Sequence, residues 1–366
     1  AGGWQWQGQA RCNDAQSTFQ LRQTGTAWRG HFRDWRAEDL LAWISPWLNE
    51  PAQYWLIPLD LRGALPEIAV QLDPVVGTFA ATAQLHEVAS RPAHGLPGWA
   101  GVTGTLTVSP EGGQIELNSR QLKVDAAGRL RAPVTLDTLK GVLNWRHSAQ
   151  GWTLDSPGIE LDNPDLNGRF WGSATFPDAD EPSLNVRGQY QLQLGAVRRY
   201  LPFTAIPPDG LAWLDQALVS GQATGGDFTL RGLPGRFPFD HGEGLFETRF
   251  QVQDAVLDYT PGWPRLERLQ AAVTFRNRTL QVEASGGRLL DASVEHIAAR
   301  IDDLAESVVQ VKGRAKGPSA SLWRAFQESP AGQDLSDDLP NPRWTGASTL
   351  DLDLSIPLDP RPNRVR

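Results

Sequence analysis

Six histidines (His31, His86, His94, His147, His241 and His296) and one cysteine, Cys12, are the side chains here best suited to hold a metal or attack an electrophile. Zinc sites need ligands at short regular spacing, such as His-x-x-x-His on one helix face or a pair of cysteines. None of the six recurs at that interval, so surface or loop roles are expected, and no metal. Gly242-Glu243-Gly244 lacks the third glycine and following helix of a phosphate cradle and reads as a hairpin. No Gly-x-Ser-x-Gly elbow offers an activated serine. Asp178, Asp180 and Glu181 lack the glycine and distal Glu of a calcium loop, which leaves a solvated turn. Asn277-Arg278-Thr279 is a formal glycosylation sequon, meaningful only in a glycosylating host. Among 42 acidic residues no motif singles out a carboxylate pair for glycoside hydrolysis. The expectation is no catalytic residue, no cofactor and no enzyme.

Tryptophan is the unusual residue, with 15 against 4 tyrosines. It can stack on sugars, fill a β core or sit where apolar meets polar. Trp43 and Trp213 both stand in a Leu-Ala-Trp string, and Trp99 and Trp263 both follow Pro-Gly. A repeated helix packed on a repeated sheet explains that recurrence better than a sugar subsite.

The elements that must position these residues are mostly strands. Apolar residues alternate at Val102, Gly104, Leu106, Val108; at Leu184, Val186, Gly188, Tyr190, Leu192, Leu194; at Phe246, Phe250, Val252; at Leu269, Ala271, Val273, Phe275; and at Leu350, Leu352, Leu354, Ile356. Period two places each set on one face of a strand whose other face is wet, the pattern of antiparallel sheets. Turn clusters such as Glu111-Gly-Gly113 and Ser285-Gly-Gly287 punctuate them. Helical spacing is expected in three stretches: Arg36 to Asn49 with a kink at Pro46, Ala196 to Leu218 interrupted by Pro202, Pro207 and Pro208, and Ser319 to about Leu335.

Composition agrees. The 366 residues are 40% hydrophobic, with 36 Gly and 27 Pro, which suits short strands with frequent turns. No run approaches the roughly 18 apolar residues of a membrane helix, and residues 1–20 do not form a signal peptide. A single cysteine excludes an internal disulfide and leaves the compartment open. Net charge is −8 with arginines scattered singly, so the dense cationic stripe that nucleic acid needs is missing. No methionine occurs, the initiator included, which suits an internal or processed piece, or selenomethionine left unwritten.

The order helix, Gly-rich strand and meander recurs from Leu41-Ala-Trp43, from Leu211-Ala-Trp213 and from Leu322-Trp323. It divides the chain into 1–35, strands preceding the first repeat; 36–195 and 196–318, each a helix plus meander; and 319–366, the start of a third repeat, which suggests that the native chain continues.

Several stretches resemble YhdP-type proteins of the AsmA-like superfamily, relatives of TamB: Arg199-Tyr-Leu-Pro202, Trp213-Leu-Asp-Gln-Ala-Leu218, Leu230-Arg-Gly232, Phe237-Pro-Phe239, Gly242-Glu-Gly244, Leu257-Asp-Tyr259 and Pro261-Gly-Trp-Pro264. Upstream, Gly95-Leu-Pro-Gly98, Leu143-Asn-Trp145 and Gly151-Trp152 fit the same family, as does Glu328-Ser-Pro330. The resemblance implies a bridge-like lipid transfer protein of the Gram-negative periplasm, anchored in the inner membrane through segments absent here, that moves phospholipids towards the outer membrane. The fold expected is mainly β: an elongated, twisted antiparallel sheet curled into an apolar groove, with three short helical segments along its edge. Alternation nominates Val102, Leu106, Val108, Val186, Tyr190, Leu192, Phe250, Val252, Val273 and Phe275 as groove lining. The expected partners are phospholipids and, through the flanking segments, a membrane, with no nucleic acid. A structural envelope spacer with a filled β core and a glycan-binding or glycan-cleaving β protein are the alternatives.

Overall fold

A computed structural model describes residues 3–12, 15–304, 308–329, 332–333 and 343–357. Alternating sequence becomes strand almost throughout: 63% of the described residues are strand and 16% helical. Among the described residues, eighteen strands make one antiparallel sheet that does not close into a barrel. The chain divides into two compact units, Ala1–Val186 and Arg187–Arg366.

The first unit holds β1 (Gln5–Cys12), β2 (Ala15–Thr24), β3 (Ala27–Arg36), α1 (Ala37–Ile44), α2 (Glu50–Leu56), β4 (Arg62–Asp73), β5 (Thr78–Ser90), β6 (Gly98–Ser109), β7 (Gly112–Asp125), β8 (Val134–Ser148), β9 (Gly151–Asp162) and β10 (Leu166–Phe176). From β1 to β10 each strand pairs with the next in sequence. β11 (Ser183–Gln193) crosses the division. The second unit continues with α3 (Pro208–Ala217), β12 (Leu218–Gly232), β13 (Gly244–Leu257), β14 (Leu266–Arg276), β15 (Thr279–Leu289), β16 (Ala292–Ile301), β17 (Val308–Pro318), α4 (Ser319–Glu328) and β18 (Ala347–Pro357). Here too β12 to β18 pair in sequence order.

The helical connections are shorter and more broken than their spacing predicts. In the first, α1 ends at Ile44, a 3-10 turn covers Ser45–Trp47, and α2 restarts where the Asn49 side chain accepts a bond from Ala52 N at 3.0 Å with Pro51 in the first turn. A capping Asn followed by Pro is a start signal that the kink at Pro46 masked. In the second, two 3-10 turns at Leu194–Arg199 and Phe203–Ala205 precede α3, which begins at Pro208 as expected. In the third, α4 ends at Glu328, and most of the expected extension to Leu335, with Pro330, lies outside the described residues.

These connections all lie at one end of the strands of their unit, and that end is also bulged. Pairing slips at Leu85/Val88 and Ala100/Gly104 in the first unit and at Val252/Ala255 and Glu267/Gln270 in the second. Glu87, Gln121, Asp254 and Arg268 take positive φ there, the local geometry of bulges that bend and twist a strand. Ser119, fully buried, repairs the ladder it interrupts: its hydroxyl accepts from Thr103 N at 2.9 Å and donates to Thr103 O at 3.2 Å.

Candidate apolar binding face

Because neighbouring strands are in antiparallel register, apolar residues that alternate along each strand join into lanes running across strands. One lane in the first unit reads Trp6, Leu21, Gly30, Val70, Ala81, Val108, Gly113, Trp145, Leu154 and Ala174, from β1 to β10. Beside it runs Gly8, Phe19, Phe32, Ile68, Ala83, Leu106, Ile115 and Leu143. In the second unit one lane reads Phe250, Val273, Val282, Ala299, Val311 and Leu354, and the next Ala223, Val252, Ala271, Ala284, Ile297, Gly313 and Leu352. Charges collect on the opposite face, where Lys312 and Asp353 and then Arg314 and Asp351 face each other directly across β17 and β18. Such exposed pairs add little stability but reinforce register.

Each unit covers this face at its helical end. Ala37 of α1 joins a buried cluster with Trp35, Leu65, Val88, Val102, Leu122 and Leu136. In the second unit Leu194 lies against Ala223 and Ala255, while Leu322 and Ala325 of α4 lie against Ala292, Ala315 and Val294. Away from that end most lane residues are half-buried, although Phe32 and Ile68 in the first unit are buried, at 7% and 4% exposure.

Glycine shapes the lanes. A Cβ on Gly113 would stand 2.4 Å from the Trp145 ring, on Gly8 2.7 Å from Phe19, and on Gly226 2.7 Å from Tyr190. Aromatic rings therefore lie down over bare backbone where side chains would otherwise interdigitate, which makes a smooth surface. Tyr190 is the one titratable group among the nominated residues. Its hydroxyl meets Thr248 Oγ1 at 2.5 Å, and burial raises its pKa above that of a free phenol, so it stays protonated and hydrogen-bonded.

At the open end the two units differ. In the first, Trp28, Leu72 and Phe79 face one another across β3, β4 and β5, with Trp6 5.8 Å from Trp28. Beyond them the β4–β5 turn displays Val75 and Val76, 75% and 70% exposed. That turn is well held: Asp73 accepts from Val75 N and Val76 N at 3.1 and 3.2 Å and from Thr26 Oγ1 at 2.8 Å, and chiefly the Thr26 bond lowers its pKa. In the second unit the open end is lined with phenylalanine. Phe246 packs edge-on against Phe275 at 5.2 Å, Phe228 at 5.7 Å and Phe237 at 5.9 Å.

Of the residues nominated from alternation, Val102 and Val252 belong to the buried clusters and the other eight are partly exposed. Tyr190, Leu192, Phe250, Val252, Val273 and Phe275 come together on the second unit's face: Leu192, Phe250 and Val273 pack on the cluster around Val252, and Tyr190 lies 6.4 Å from Phe250. Leu106 and Val108 sit in adjacent lanes of the first unit, and Val186, its last residue, passes over Gly172 of β10. Sequence reasoning passed over Trp28, Leu72, Phe79 and Phe237, all beside turns where alternation breaks off, and it placed Phe246 in an alternating set without nominating it. Among the described residues no group of three His, Cys, Asp or Glu could hold a metal, and no helix is long and apolar enough to cross a membrane.

Comparison with known proteins bears on what such a face is for. A model of the YhdP protein family matches residues 6–366. The intermembrane phospholipid transporter YhdP of Escherichia coli is 27% identical over 265 residues, 72% of this chain but 21% of that protein. The chain thus spans about a fifth of that relative's length. No solved structure matches.

Proposed function

This chain belongs to the YhdP family, and on that premise we propose that it is a periplasmic segment of an inner-membrane-anchored protein that carries phospholipid acyl chains along its apolar sheet face, as a groove, towards the outer membrane. The observation that carries the reading is the register: apolar residues meet strand after strand, and the lanes they form are left half-open. In the second unit the lane from Phe250 to Leu354 crosses six strands, about 24 Å at ~4.8 Å per strand interval. One acyl chain spans roughly half of a ~30 Å bilayer core, so it fits within the lane. Burying a sixteen-carbon chain is worth roughly 12 kcal/mol at about 0.8 kcal/mol per methylene, before ordering costs. No polar group is required to hold it, and a role without catalysis follows. The repeating helix-and-meander units, 36–195, 196–318 and 319–366, would each supply one stretch of conduit.

The test is photo-crosslinking in cells. Crosslinkers at Leu192 and Val273 are expected to capture phospholipid, while those at Gln191 and Thr274, one residue away and on the wet face, are not. Equal labelling at all four positions would refute the assignment of faces.

A further inference from the structure

We propose that the β12–β13 loop, Leu233–Glu243, is a strap that holds an acyl chain against the second unit's open end, with Phe237 as its contact; this rests on the conduit reading above. Phe246 lies on the apolar face, two residues from Thr248, which pairs with Phe275. Alternation therefore puts Gly244 on that face too. A Cβ on Gly244 would stand 2.6 Å from the Phe239 ring, so the loop folds back over the apolar side rather than away from it. Phe239 is the anchor, only 3% exposed, whereas Phe237 is 44% exposed. Phe237 touches Phe239 at 5.7 Å and Phe246 at 5.9 Å, so its ring continues the wall begun by Phe275 and Phe246.

A loop free to swing would not hold a chain in place, but this one is clamped. Arg278, in the two-residue turn between β14 and β15, donates from Nε and Nη2 to both carboxylate oxygens of Asp240 at 2.7 and 2.8 Å. Its third nitrogen reaches Asp303 after β16 at 3.3 Å. The bidentate fork fixes direction as well as distance. Asn277 adds a pair of bonds to Phe246, from its own N to Phe246 O and from Phe246 N to its Oδ1, both 2.9 Å. The loop that leaves β12 is thereby tied to a turn beyond β13, and it bridges the open end at this level. The occupant such a wall fits is apolar and slender: the Phe237 ring is presented next to the Phe275 end of the lanes, and all the ring contacts of Phe237 named above are to other phenylalanines.

The experiment places a benzoylphenylalanine crosslinker at Phe237, and separately at Val273, in the protein as cells make it, with the cellular phospholipid pool labelled in its phosphate. Phospholipid adducts at both positions are expected. Arg278→Ala, which frees the strap, should lower the Phe237 adduct about fivefold, a modest shift in the strap's closed population, while the Val273 adduct stays unchanged. The conservative Arg278→Lys should lose part of that effect's size because it keeps the charge without the fork. A Val273 adduct with none at Phe237, or a Phe237 adduct to protein instead of lipid, overturns the strap and leaves the conduit intact. Absence of adducts at both positions overturns the conduit and the strap with it.

Discussion

The two open ends are built from the same half-buried lanes and finished differently. In the first unit the outermost row, Trp28, Leu72 and Phe79, gives way to a separate hairpin tip that points Val75 and Val76 at solvent. In the second, the corresponding end is closed by a long loop whose phenylalanines turn back over the face, knitted by Arg278 to two acidic partners. The covered ends, by contrast, are alike in being buried beside a helical connection, around Trp35, Val102 and Leu122 in the first unit and largely around alanines in the second. On the conduit reading proposed above, an acyl chain completes the half-buried lanes, and the second unit's loop would hold it more closely than the first unit's hairpin tip.

The sharpest way to break this picture is a charge at each kind of position. Leu122→Asp, at the covered end and 2% exposed, buries an unpaired carboxylate in packed surroundings and is expected to cost several kcal/mol. Thermal unfolding should show a large fall or no folded protein. Val273→Asp, in a half-open lane, can turn its carboxylate towards water, so a loss of about 1–2 kcal/mol is expected, together with abolished lipid transfer in a complementation assay. If Val273→Asp unfolds the protein as Leu122→Asp does, the lanes are a closed core and the spacer reading gains. If it stays folded and fully active, acyl chains do not pass there.

Strand identity and the direction of each face were legible in the sequence because a half-buried strand has a period of two and nothing else. From Leu184 to Leu194 the alternate residues are partly or fully buried, and Asn185, Arg187, Gln189 and Gln191 between them are exposed. What alternation could not show is which faces join. That depends on register, set by turns and bulges far apart in sequence, such as the slip that brings Val88 opposite Val102. The strap was visible only as two phenylalanines two residues apart, since a loop has no period to read. Trp43 illustrates a partial success. Its recurrence with Trp213 pointed to helix-on-sheet packing, and its ring does lie 5.7 Å from Trp35 and 6.2 Å from Phe32, yet 54% of it remains exposed.

A smaller effect is expected at the first unit's tip. Asp73→Ala removes three hydrogen bonds from an exposed turn while touching no buried side chain. Global unfolding should barely move, but the Val75-Val76 segment should be cut faster by limited proteolysis, since local opening sets that rate. The equivalent loosening in the second unit, Asp240→Asn, should expose Phe237 and Phe239 to the same protease. Equal resistance of both variants would mean that neither finish depends on its carboxylate.

The smallest effect is one of pH, and its sign follows from the clamp. Arg278 beside Asp240 holds that carboxyl below its ordinary value, chiefly through the paired hydrogen bonds, while Asp240 in return raises the guanidinium further out of range. A group with a depressed pKa in the folded state contributes stability that is complete above its unfolded value and is lost as pH falls through its folded value. Neutral and mildly acid solutions therefore leave the strap clamped. Only below the usual carboxylate range should it release. Asp240 is exposed, so salt screens the pair and the overall unfolding midpoint should hardly register the change. The place to look is local: an NMR titration of the amides from Arg236 to Gly244 should show a transition at strongly acid pH that vanishes in Arg278→Ala, with the covered-end amides of Ala255 and Ala271 unaffected over the same range. A transition near the ordinary carboxylate value, unchanged by Arg278→Ala, would mean that the ion pair does not hold the loop and that phenylalanine packing alone keeps it folded over the face.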